Sequence, residues 1–285
     1  MSDTVAGRTR HILIIDEDYA VGATLEPYFK GQGYQTSLVK TGADGVNEAM
    51  THLPAIILLS TRLSDGPGVN IFRQLRARSR TAHIPIMFLA DHQDSKQQKD
   101  LLSAGADDFI LKPFDVDILG LRVRNAIKRQ DREGLHHPRS GLPTGRLIEE
   151  RERALPGESG WYKIDFGIGN FDAFREHYGF MTGEEVIAFT ARLINEVVQT
   201  AGTPDDFIGH RDDTDFVVVT RQNNGAKLRD LLEKRFNEEV LAFYTFMERD
   251  QGSVEVPDGS GGTIKKPLMA AKIKVEESKQ TQNKA

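Results

Sequence analysis

At 285 residues the chain is long enough for two domains of ordinary size, and 39% hydrophobic with 28% charged residues fits a folded rather than a disordered chain. A formal charge of −5 argues against a nucleic-acid coat, and the absence of cysteine removes disulfides, thiolate nucleophiles and cysteine zinc sites. No apolar stretch follows MSDTVAGRTR as a signal peptide would, and runs such as AIILL are strand-sized, so a soluble, cytoplasmic protein is expected.

From residue 11 short β-rich runs alternate with helical spacing. Strands are predicted at HILIID (11–16), YQTSLV (34–39), AIILLS (55–60), IPIMFLA (84–90) and DDFILK (107–112). Between them, Val21, Leu25 and Phe29, then Ile71 and Leu75, recur at helical intervals. This alternation predicts a five-stranded, doubly wound parallel sheet, with its crevice at the carboxyl ends of the strands. Three of those ends carry Asp16, Ser60 and Lys112. A last helix, FDVDILGLRVRNAIKRQD, closes a domain over 10–131, and the polar segment 132–140 reads as a linker.

A second domain is expected over 141–276. TGRLIEERERAL reads as helix, GWYKIDFGIG as a strand and FDAFREHYGF as helix. GEEVIAFTARLINEVVQTA carries the helical stripe Val186, Phe189, Leu193 and Val197. DDFIGHRDDTDFVVVT reads as a hairpin, AKLRDLLEKRF and EEVLAFYTFMERD as helices, and PLMAAKIKV as a final strand. Phe236, Val240, Phe243 and Met247 fall on one helical face, expected to be core. The mixture predicts an α+β domain, followed by a polar tail at 277–285.

HILIIDEDYAVGATLEPYF, AIILLSTRLSDGPG, IPIMFLAD and GADDFILKPF together resemble a response-regulator receiver domain, of flavodoxin-like fold. The resemblance implies that Asp16 and Glu17 stand for a Mg²⁺-binding acidic pair and Lys112-Pro113 for a lysine with a cis peptide. It also puts Ser60 where an aspartate would accept a phosphoryl group, and Ala90 where a Thr or Ser would bind it. A serine hydroxyl is neutral, a poor metal ligand, and needs a general base to attack. Ala90 offers no hydroxyl at all. A pseudo-receiver is therefore expected, with Asp16, Glu17 and Lys112 surviving as a self-satisfied polar cluster; residual metal binding is the alternative.

SGLPTGRLIEERERAL, NFDAFREHYGFMTGEEVIAFTARLI and FIGHRDDTDFVVV resemble segments of GGDEF domains, the diguanylate cyclases that join two GTP into cyclic di-GMP. Carried over by position, the metal carboxylates fall on Gly167 and Gly169, and the signature reads Asp212, Asp213, Thr214, Asp215, Phe216. The guanine-reading positions hold Arg175 and Glu184. At the inhibitory site Asp206 remains, but Thr203 replaces an arginine whose planar fork threonine cannot imitate. Two added carboxylates beside a triphosphate would repel it, with too few metal ligands to compensate.

The expectation is a non-enzymatic signalling protein that needs no cofactor and acts through a protein partner. A homodimer through the receiver-like domain is one form of this, on a face built from 94–104 and 114–130. A guanine-nucleotide or cyclic di-GMP effector is the alternative, and a cyclase with ligands relocated to Asp165, Asp212, Asp213 or Asp215 a third reading. Arginines 73, 76, 78 and 80, and the basic residues of 122–132, read as helix outer faces rather than a nucleic-acid surface. His136-His137 reads as part of the linker, not as a metal site.

Overall fold

The structure, a computed structural model, describes residues 10–91, 105–132, 134–137, 140–258 and 262–278. The chain divides into two units, Met1–Gly141 and Leu142–Ala285.

In the first unit, β1 (His11–Ile15), α1 (Tyr19–Gly31), β2 (Gln35–Val39), α2 (Gly42–His52) and β3 (Ile56–Ser60) alternate. A two-rung ribbon, β4 (Arg62–Leu63) and β5 (Gly66–Pro67), leads into α3 (Gly68–Arg76), β6 (Ile86–Asp91), β7 (Asp108–Lys112) and α4 (Val116–Arg132). The sheet runs β2-β1-β3-β6-β7, with every pair parallel. Ile12–Ile15 and Ile56–Leu59 are fully buried without alternation, because helices cover both faces of such a sheet. On one face Val21, Leu25 and Phe29 of α1 pack with Leu119, Val123 and Ile127 of α4 over Ile12, Ile14 and Leu58.

Turns fix where the strands deliver their last residues. Asp18 caps α1 by accepting from the Ala20 N–H. The exposed carboxylate of Asp65 accepts from the Gly42 and Ala43 N–H groups at 2.9 and 3.0 Å, tying the β4–β5 turn to the start of α2. Position 68 admits only glycine, since a Cβ there would lie 2.0 Å from the Ser60 carbonyl oxygen.

The segment 132–140, expected as linker, falls within the first unit. Helix α4 reaches Arg132, and Leu135 and Ser140 are buried. Leu135 is a buried apolar side chain that the polar residues around it hid from a compositional reading.

The second unit contains α5 (Arg146–Ala154), a 3₁₀ turn, β8 (Trp161–Gly169), α6 (Phe171–Tyr178), α7 (Phe180–Ala201), β9 (Phe207–Asp212), β10 (Asp215–Arg221) and α8 (Gln222–Glu239). Then come α9 (Phe246–Gln251), β11 (Ser253–Pro257), β12 (Thr263–Pro267) and β13 (Ala270–Glu277). An antiparallel sheet runs β13-β8-β10-β9, and β11–β12 form a separate hairpin. Phe166, Phe174, Phe216 and Phe236 are fully buried, and Val186, Leu193 and Val197 of α7 are buried in the same unit.

Two expectations change here. The helix read over 238–250 is broken: a 3₁₀ turn covers Val240–Phe243, and Thr245 starts α9 with a reciprocal capping box to Glu248. Phe236 and Val240 are buried as expected, but Met247 is 68% exposed. The expected tail begins later, because Glu277 ends β13 and Ser278 is buried, its N–H donating to the Trp161 carbonyl. Residues 279–285 lie outside the described residues. Among the described residues no helix is long and apolar enough to cross a membrane.

The Asp65 carboxylate is held below the ordinary aspartate value by the two N–H groups it accepts from. A depressed carboxylate contributes stability above its unfolded pKa and loses it as pH falls through the folded value. Asp65→Ala should cost about 1 kcal/mol at pH 7, and the gap to wild type should close in acid below the ordinary aspartate range. Urea unfolding at neutral and acid pH reads both.

Candidate functional site

The carboxyl ends of the parallel strands bring Asp16, Ser60, Ala90 and Lys112 to one edge of the sheet. Asp16 follows β1 and is 1% exposed; Ser60 ends β3, Ala90 lies in β6, and both are buried. Lys112 ends β7 and is joined to Pro113 by a cis peptide bond. Its Nζ donates to Asp16 Oδ2 at 2.5 Å, while Asp16 Oδ1 accepts from the Asp18 N–H at 3.0 Å. Because β3 and β6 lie between β1 and β7, the lysine reaches its partner across the strand ends that carry Ser60 and Ala90. Glu17 is exposed, outside the pair. The carboxylate is thus bonded at both oxygens, and its neighbour across β3 is a neutral hydroxyl. Such an arrangement stabilises one buried charge; it contains no ionised nucleophile at position 60.

In the second unit, the two glycines at expected metal positions end β8. Gly167 is paired with Asp215 and with Lys272, and Gly169 with Ala270. A Cβ at 169 would stand 3.0 Å from the Ala270 carbonyl oxygen, and one at 167 would stand 2.9 Å from Asp215 Oδ1. A side chain at 169 therefore presses on backbone, and one at 167 displaces a carboxylate.

Asp212, Asp213, Thr214 and Asp215 form the tight β9–β10 turn, with Asp213 N–H on Asp212 Oδ1 and the Thr214 carbonyl on Ile168 N–H. Phe216 is buried, stacked on the buried His210 at 4.1 Å between ring centres. Arg175 pairs with Asp172 at 3.2 Å and lies 3.9 Å from Asp213. Glu184 is half-buried in the first turns of α7. Asp206 is 1% exposed, and its two oxygens accept from the N–H and the hydroxyl of Thr203 at 2.8 and 2.6 Å. That carboxylate closes a turn.

The sequence reading missed one cluster. Lys163, nearly buried in β8, lies 3.1 to 3.5 Å from Glu276, Asp165 and Glu152, and Arg211 bonds Glu152 and Asp165 at 2.7 and 3.3 Å. Burial alone would lower the Lys163 ammonium; the hydrogen bond to Glu276 and the charges of Asp165 and Glu152 outweigh it and hold it above the ordinary lysine value. The signal was a lysine two residues from an aspartate inside an otherwise apolar strand, which places both on one face. Asp165, a candidate relocated metal ligand, is engaged by these cations. Among the described residues no group of three or more His, Asp or Glu is placed to hold a metal ion.

Residues 12–124 match the response regulator receiver domain family. The first unit is a response regulator receiver domain. Its chain is 32% identical over 119 residues to the KDP operon transcriptional regulatory protein KdpE of Escherichia coli, covering 42% of this chain and 52% of that protein. It is 24% identical over 259 residues to the regulatory protein LuxO of Vibrio vulnificus, covering 88% and 51%. The chain spans about half the length of these curated relatives. Among solved structures it is similar to the receiver domain of a sensor histidine kinase from Pseudomonas aeruginosa, at 25% identity, covering 42% of this chain and 99% of that one, with a TM-score of 0.40. It is also similar to the non-phosphorylated HemR receiver domain of Leptospira biflexa, at 24% identity over 41% and 94%, with a TM-score of 0.39.

Elsewhere on the receiver, Arg80 is buried with its guanidinium on the Met50 carbonyl, and Arg76 and Arg122 bond Asp107 and Asp108. His136 and His137 are half-buried, lining a small cavity with Arg10, His11 and Arg80. Of the expected partner face, 94–104 lies outside the described residues; α4 exposes Ile118 and Leu121.

Removing one member of a buried ion pair strands the other. Lys112→Ala should destabilise the receiver by roughly 3 kcal/mol, and Asp16→Asn/Lys112→Met should recover much of that loss. Denaturant unfolding of the single and double variants checks this; equal stability of Lys112→Ala and wild type would show the pair to be unimportant.

Proposed function

We propose that this is a non-catalytic signalling protein: a pseudo-receiver joined to a degenerate GGDEF-like domain, acting through protein partners rather than phosphotransfer or nucleotide synthesis. The observation that carries the reading is the Lys112–Asp16 bond with Ser60 at the acceptor position. The lysine that would meet a phosphoryl group is spent on the carboxylate that would hold the metal, and the hydroxyl beside it has no ionised form at neutral pH.

For the second domain, the resembling segments fall in order on α5, on α6 with α7, and on the β9–β10 hairpin. The carboxylates open to relocation do not converge. Asp165 is bound to Arg211, Asp213 faces Arg175, and Asp212 accepts from its own neighbour. Asp206, which an inhibitory dinucleotide would need, is buried in its turn with Thr203. These features support an inert domain over an effector or a relocated cyclase. The named relatives are regulatory proteins, and a regulatory role is what carries over to this chain.

Incubation with GTP and Mg²⁺ or Mn²⁺ should yield no cyclic di-GMP, and acetyl phosphate should leave the mass unchanged. Product lost on mutating Asp215, or phosphate on Ser60, Asp16 or Glu17, overturns the reading. Ser60→Asp returns a nucleophile beside Asp16 and Lys112, so acetyl phosphate should then modify the protein, read by mass spectrometry. With Ala90 still lacking a hydroxyl, beryllofluoride should shift few NMR resonances until Ala90→Thr is added.

A further inference from the structure

Strand β13 is long for a sheet edge. Ala270 to Glu277 pair with β8 along their whole length, and among the described residues no strand pairs with its outer side. An edge of this length is a template for another strand unless something blunts it.

The directions of its backbone groups can be assigned. Ala271 N–H donates to Asn237 Oδ1 of α8 at 2.7 Å, and so points away from β8, whereas Ser278 N–H donates to Trp161 at the β8 side. In an antiparallel ladder a residue's N–H and C=O point the same way and alternate along the strand. Ile273, Val275 and Glu277 therefore present their N–H and C=O groups to the outer edge, while Asn237 already occupies the Ala271 donor. The open edge starts at Ile273.

The side chains along that edge read Lys272, Ile273, Lys274, Val275, Glu276, Glu277. Lys272, Lys274, Glu276 and Glu277 are exposed, and Val275 is 43% exposed. Basic residues precede acidic ones, so the strand is complementary to itself only when antiparallel. A parallel copy would bring lysines toward lysines and glutamates toward glutamates. Of the antiparallel registers that respect the backbone directions, two are centred in the middle of the open edge. One centred on Lys274 would oppose two lysines and call on the Ala271 N–H already bonded to Asn237. One centred on Val275 hydrogen-bonds Val275 to its counterpart and Ile273 to Glu277 of the second copy. It places Lys274 opposite Glu276 on both sides of the axis, at the closely spaced positions where such pairs interact best.

We propose that two copies of this chain associate through β13, antiparallel about a twofold axis at Val275, joining the sheets of their second units into one continuous sheet. The contact is isologous and therefore closes as a dimer. It stands whether or not the second unit is a degenerate GGDEF domain, and it is separate from any contact made by the receiver.

The chain has no cysteine, so Val275→Cys introduces a single thiol. In the full chain, a short bis-maleimide should link Val275→Cys into covalent dimers, while Lys234→Cys, exposed on α8, should stay monomeric. Adding Glu277→Pro removes an outward N–H without touching the β8 ladder, and should abolish the link with far-UV circular dichroism unchanged. Val275→Pro should weaken dimerisation at least tenfold in light scattering, and salt should weaken the wild type. Absence of the Val275→Cys link at high micromolar concentration overturns the proposal. So does a link that survives Glu277→Pro. A dimer held by the receiver alone would appear as association in light scattering without any link at position 275, and would also overturn it.

Discussion

The bond between Lys112 and Asp16 organises the functional end of the receiver. It joins the residue after the inner strand β1 to the end of the edge strand β7, across the intervening ends of β3 and β6. Both groups are largely removed from water, so neither can be released cheaply. The small residues Ser60 and Ala90 occupy those intervening ends and add no charge that could compete for the lysine. On the proposed reading, a serine at position 60 does more than withhold a nucleophile: it leaves Lys112 with one buried carboxylate to serve.

The second unit follows the same logic with other residues. Where a two-metal site would need carboxylates unencumbered by cations, the sheet carries Lys163 and Arg211 bonded to Glu152, Asp165 and Glu276. Protein cations neutralise the acidic residues of this face. At Gly169 the Ala270 carbonyl lies so close that a side chain there demands a shift of β13. Chemistry and packing thus point the same way for the proposed reading: the charged groups of both candidate sites are mutually satisfied. The outer edge of β13 is a stretch of surface with defined hydrogen-bonding direction and charge order.

Much of the fold was legible because the signals were periodic. The fully buried runs of β1 and β3 can only be strands of a covered sheet, and the spacing of Val21, Leu25 and Phe29 places α1 against it. Asp16, Ser60 and Lys112 were legible as a group because each ends a strand. What escaped were features decided by pairs distant in sequence or by local capping. The β11–β12 hairpin is short and polar on β12, so alternation gave it no apolar face to announce it. The capping box at Thr245 overrode a helical stripe that ran through Met247. The Lys163 network depends on Glu152, Arg211 and Glu276, brought together only by the sheet. Asp206 read as a ligand remnant, yet its burial against Thr203 explains its presence by turn geometry.

The claim that the receiver's site is a closed ion pair can be tested on the unmodified protein by titrating Mg²⁺ while following the amide resonances of Asp16, Ser60, Ala90 and Lys112 by NMR. A carboxylate bonded by Lys112 on one oxygen and by the Asp18 N–H on the other should not take the metal, so these resonances should stay fixed through the millimolar range. Saturable shifts centred on Asp16, absent in Asp16→Asn, would contradict the account.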